Sequence, residues 1–116
     1  MQHYSNLLVW QKAHALAVRV DESFEQCKRR DHSGVTAQAR RAALSIPANI
    51  AEGCGRSSDK DFARFVHFAI GSTSELESEL EFMAARKLLT SGESDAMRAQ
   101  AREIRRMLCG LLKKLS

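Results

Sequence analysis

The chain has a single proline, Pro47, in 116 residues. Glycine is also scarce, at six residues, which leaves little material for the many turns of a sheet protein. One Trp, one Tyr and five Phe make the aromatic set, so any core must be mainly aliphatic. The three cysteines, Cys27, Cys54 and Cys109, are odd in number and far apart, with no CxxC pair. This excludes a disulfide framework and points to reduced thiols and a cytoplasmic protein. No stretch approaches the ~20 apolar residues of a membrane span. The opening segment, residues 1–14, has too short an apolar run, with no basic region before it, to read as a signal peptide. His3, His14, His32 and His67 show no HExxH spacing, and no Glu is followed three residues later by His, so neither a zinc nor a di-iron motif is present. Gly53-Cys54-Gly55-Arg56-Ser57 lacks the GK[ST] ending and the preceding strand of a phosphate loop, and reads instead as a helix-ending glycine. No cofactor or metal is expected.

Alanine, leucine and arginine are abundant, which favours helix. Apolar residues spaced by three and four mark four amphipathic segments. The first spans about 7–28, with Asn6 or Ser5 as its cap and Val9, Ala13, Leu16, Ala17, Val20, Phe24 and Cys27 inward. After a turn at Arg30–Gly34, the second spans about 35–52 along a seam of Val35, Ala39, Ala42, Ile46, Asn49 and Gly53. The third covers about 58–89; Ser58 with Asp61 resembles a capping box, and Gly71 in its middle predicts close approach by a neighbouring helix. Thr90–Glu93 reads as the last turn, and the fourth helix, about 94–115, buries Met97, Ala101, Ile104, Leu108, Leu111 and Leu115. The expected fold is all-α, one up-down antiparallel four-helix bundle over residues 1–116.

The segment Ser45–Gly53 breaks two local rules. Pro47 stands inside a helical pattern, where it removes a backbone hydrogen bond at a cost of about 3 kcal/mol and should bend the helix. Asn49 sits on the apolar seam and needs a partner. Asn49 with Glu52, and Ser72 with Glu75, each place two polar groups on one helix face. No nucleophile stands beside them, so they read as a structural polar network, with partners expected among Ser72, Glu75, Arg41 and Arg56.

Net charge is +4 and the pI about 9.3, which permits nucleic-acid binding without requiring it. Arg98, Arg102 and Arg105 form a stripe at spacings of four and three; Arg40-Arg41, Arg56 and Lys28-Arg29-Arg30 add basic patches. Each is a candidate phosphate contact. The alternating Glu75, Glu77, Glu79 and Glu81 read as ion-pair partners rather than as catalytic carboxylates. A hairpin turning near Gly92 sets Glu81 level with Arg102, and Glu79 and Glu77 level with Arg105 and Arg106.

Leu8–Ala13, then Gln38 with Arg40–Ala43, the Ser45–Gly53 segment with Arg56, and Phe62, Phe65, Ala69, Gly71-Ser72 and Glu75-Leu76 together resemble the four-helix bundle proteins also called 23S rRNA-intervening-sequence proteins. Ala37 and Ala39 depart from the larger apolar residues common beside Gln38. The resemblance implies a non-enzymatic protein that assembles as a ring-like homopentamer. It also implies association with 23S rRNA or other structured nucleic acid. A similar fold serves as the accessory protein of diversity-generating retroelements, which implies a reverse transcriptase as an alternative partner. Nucleic-acid contact would fall to Arg40, Arg41, Arg56, Arg98, Arg102 and Arg105. A protein scaffold would instead show an exposed apolar patch and arginines engaged in ion pairs.

Overall fold

The computed structural model describes residues 3–27 and 30–116, so Lys28 and Arg29 of the expected basic patch lie outside the described residues. A 3-10 turn, Tyr4–Asn6, leads into four helices: α1 (Leu8–Phe24), α2 (Val35–Cys54), α3 (Asp59–Ala85) and α4 (Ser91–Leu115). Neighbours in sequence pack side by side and α1 closes the square against α4, while the backbones of the diagonal pairs α1–α3 and α2–α4 stand farther apart. The bundle measures 44 × 21 × 19 Å. Its axis is filled by one fully buried layer from each helix: Leu16 and Val20, Ile46 and Ile50, Leu76 and Leu80, Met97 and Ile104. Burial of this kind stabilises by roughly 1.5–3 kcal/mol per large side chain. Leu111 and Leu115, expected inside, are only half-buried where α4 reaches the end of the bundle.

Helix ends follow side-chain chemistry. The Ser58 hydroxyl accepts the Asp61 N–H at 3.1 Å, as the spacing predicts. Asn6 and Ser5 do not cap α1; the N-cap residue is Leu7, without a side-chain bond, and the Ser5 carbonyl instead accepts from the Gln11 amide at 2.8 Å. The Asp31 carboxylate takes over the start of α2, accepting backbone N–H groups of Ser33, Gly34 and Thr36 at 2.9, 3.1 and 2.7 Å. Burial alone would raise its pKa, but these bonds and the Ser33 hydroxyl outweigh it and hold the carboxyl well below the usual range.

α3 ends at Ala85, short of the expected residue 89, because Lys87 turns left-handed at φ 60° and the Leu88 N–H returns to the Met83 carbonyl at 2.8 Å. α4 begins at Ser91 because the Thr90 hydroxyl caps it, accepting the Glu93 N–H at 3.1 Å and donating to the Glu93 carboxylate at 3.2 Å. The α3–α4 apex therefore sits at residues 86–90, before Gly92. α1 ends at Phe24 and α2 runs two residues beyond the expected end.

The close approach predicted for Gly71 belongs to Gly53. Gly71 is exposed, with open space where a β-carbon would stand. At Gly53 that carbon would lie 2.8 Å from Phe62 Cδ1 and 3.1 Å from Phe65 Cβ. The glycine lets the end of α2 press directly on the start of α3.

Candidate functional site

α2 carries Pro47 as a buried interior residue, and the helix continues through it to Cys54. Beside it, the Ser45 hydroxyl donates to the Ser72 hydroxyl at 2.6 Å, and Ser72 donates to the Phe68 carbonyl at 3.1 Å. The Asn49 amide donates to the Ser45 carbonyl at 2.8 Å, within its own helix, and Asn49 is half-buried rather than fully on the seam. So the polar network joins Ser45, Asn49 and Ser72, whereas Glu75 is exposed and Glu52 pairs with Arg56 at 3.3 Å on the surface. Ser45 is the link between helices that the two expected polar pairs omit; its lone hydroxyl on an alanine-rich face was the available signal.

The six candidate arginines do not form one surface. Arg40 and Arg41 lie on α2, Arg56 at the α2–α3 corner, and Arg98, Arg102 and Arg105 on α4, at the opposite corner of the bundle from α2. Four of them are engaged. Arg40 pairs with Asp21 of α1. The Arg56 guanidinium also lies 4.6 Å over the Phe65 ring, a cation–π contact. Arg98 bridges Glu81 at 2.6 Å and Asp95, and Arg105 meets Glu77 at 3.1 Å. Glu81 thus pairs with Arg98 rather than Arg102, because the apex precedes Gly92 and shifts the register of α4. Among the described residues, Arg41 and Arg102 make no ion pair within 4.0 Å.

Glu79 departs most from expectation. It faces α2, not α4, and is buried to 9% exposure. Its Oε1 is shielded from solvent without a hydrogen-bond partner. Burial first, and the neighbouring Glu75 second, push its carboxyl up to about 7, against the pull of Arg41. Alternation along the glutamate run concealed this, because residues two apart on a helix do not share a face.

Two of the grooves open on the bundle flank α2. One, of about 490 Å³ between α1 and α2, has Ala17, Val18 and Leu44 along its floor and Asp21, Glu22, Arg40 and Arg41 at its rim. The other, of about 270 Å³ between α2 and α3, is lined by Val35, Gln38, Ser78, Glu79 and Phe82 together with Ser33. Cys27 and Cys54 are buried free thiols, Cys109 an exposed one. Among the described residues no group of His, Cys, Asp or Glu could hold a metal ion, and no helix is long and apolar enough to cross a membrane.

The fold is that of a crystallised protein of unknown function from the S23 ribosomal protein family of Bacteroides thetaiotaomicron VPI-5482. The two superpose with a TM-score of 0.83 at 24% identity, over 91% of this chain and 99% of that one. No curated protein matches the sequence. Residues 5–110 match the 23S rRNA-intervening sequence proteins, and that span takes in all four helices nearly whole: the chain belongs to the 23S rRNA-intervening sequence protein family.

Proposed function

We propose that the protein is a non-enzymatic binding module that works as a homo-oligomer, with a pentameric ring as the expected assembly. The uncovered groove between α1 and α2 carries this reading. Leu44 is 63% exposed and Val18 42% exposed there, and a rim with charges of both signs surrounds them. An apolar floor with a mixed rim suits a protein surface better than a phosphate backbone. Light scattering on the purified protein should give a mass several times 13.0 kDa, and Leu44→Glu should lower it. A wild-type monomer at micromolar concentration would refute the assembly.

The assembled module would contact structured nucleic acid, 23S rRNA among the candidates. Family membership supports this, as do Arg41 and Arg102, whose charges are not spent in ion pairs. Repetition around an oligomer multiplies weak phosphate contacts. Binding to rRNA fragments should fall steeply with salt and weaken in Arg41→Ala and Arg102→Ala. Absence of binding at low salt sinks this reading. The engagement of Arg40, Arg98 and Arg105 by acidic neighbours favours a second reading, a scaffold for a protein partner such as a reverse transcriptase. A pull-down that survives nuclease treatment would select it.

A further inference from the structure

We infer that the groove between α2 and α3 around Glu79 is a binding site for a protonated amine or guanidinium group. Glu79 lines this groove at 9% exposure, and its Oε1 is shielded without a partner. A buried carboxylate of this kind must find a cation or a donor, or else give up its charge. Among the described residues no cation stands within 4.0 Å of it. The charges acting on it are Arg41 from α2 and Glu75 from α3, which oppose one another. The bundle thus holds a carboxyl in reserve without supplying its counterion.

The walls fit a cation carried on an apolar stem. Phe82, 44% exposed, offers a ring to the positive charge. Gln38 and Ser78 add oxygen acceptors, and Val35 an aliphatic wall for methylenes. At about 270 Å³ the groove takes one alkylammonium or alkylguanidinium unit. A neutral carboxyl gains little from such a ligand, and an ionised one gains a charge-assisted bond, so binding should release a proton and strengthen with pH. A free amine or a Lys or Arg side chain of a second copy could supply the group; the latter source rests on the homo-oligomer proposed above.

Calorimetric titration of butylammonium and butylguanidinium into the full chain, at about pH 8 and about pH 5.5, tests the site, with Glu79→Gln as the near-isosteric variant. Saturable binding at the higher pH is expected, weakened roughly tenfold or more at the lower pH and in the variant. Light scattering distinguishes the sources. If a second copy supplies the cation, Glu79→Gln lowers the oligomer mass and saturating butylguanidinium dissociates the wild type. If a free amine does, the mass is unchanged while amine binding is lost. Amine binding by a wild-type monomer supports the site and overturns only the oligomer. Overturning the site itself takes two results together: neither probe binds the wild-type chain saturably, and Glu79→Gln leaves the mass unchanged. The wild-type pH series stands even if the variant fails to fold.

Discussion

Gly53→Ala sets two opposed effects against each other at the joint between α2 and α3. In a helix interior alanine is favoured over glycine by about 1 kcal/mol. Against this, the added carbon would lie 2.8 Å from Phe62 Cδ1 and 3.1 Å from Phe65 Cβ, whereas carbons rest at about 3.5–4.0 Å. The Phe62 ring is half-buried and can swing away. Phe65 Cβ cannot, because it is fixed to the backbone of α3. Relief requires the two helices to part by a few tenths of an ångström. That movement stretches the Ser45–Ser72 hydrogen bond about two turns away and loosens contacts of the fully buried Val66. Overpacking of this kind costs about 1–3 kcal/mol, so after the gain in helix propensity the net effect lies between about zero and a loss of about 2 kcal/mol. Urea unfolding followed by circular dichroism should show a midpoint lower by up to roughly 1 M, at matched protein concentration so that assembly does not shift the comparison. Gly71→Ala is the control. Position 71 is exposed on α3 with open space for a β-carbon, so the same substitution should stabilise by about 0.5–1 kcal/mol. A Gly53→Ala protein stabilised as much as the Gly71→Ala control would refute the close contact as the reason for glycine there.

Asp31→Ala removes three backbone acceptor bonds at the start of α2 and should cost about 1 kcal/mol by thermal or urea unfolding near neutral pH. Because the folded-state pKa of Asp31 is depressed below 3.8, its contribution is present above that pH and disappears as pH falls through the lower folded value; the variant should converge with wild type in acid. Glu79 has the opposite sign. Its folded pKa of about 7 lies above 4.5, so the native state holds a proton that the unfolded chain releases, and stability declines as pH rises from about 4.5 through 7. Glu79→Gln should flatten that decline, with a gain over wild type of about 1–3 kcal/mol at pH 8 and little at pH 4.5; a constant difference between the two pH values would contradict the raised pKa. Lys87 adopts φ 60° at the end of α3, a conformation that costs an L-residue about 1 kcal/mol. Lys87→Gly should raise the unfolding midpoint accordingly, and Lys87→Val should lower it.

Spacing of apolar residues by three and four specified which faces of the helices turn inward, and Leu16, Ile46, Leu76 and Ile104 share one core because that period places them on the apolar stripe of each helix. Short polar connections between such helices specified the up-down order. Capping chemistry was equally legible at Ser58-Asp61, and would have been at Thr90-Glu93, since a hydroxyl at the helix start accepts the backbone N–H three residues on. What the tertiary structure alone decided were distances between helices. Whether Gly53 or Gly71 marks the close approach depends on which one faces the next helix, and that follows from rotation and register rather than from glycine itself. The choice of Arg98 over Arg102 for Glu81 follows from an apex set by Lys87. The burial of Glu79 follows from the side of α3 that α2 covers. A sequence period names a face, and only packing determines what that face meets and whether a charge placed on it finds a partner.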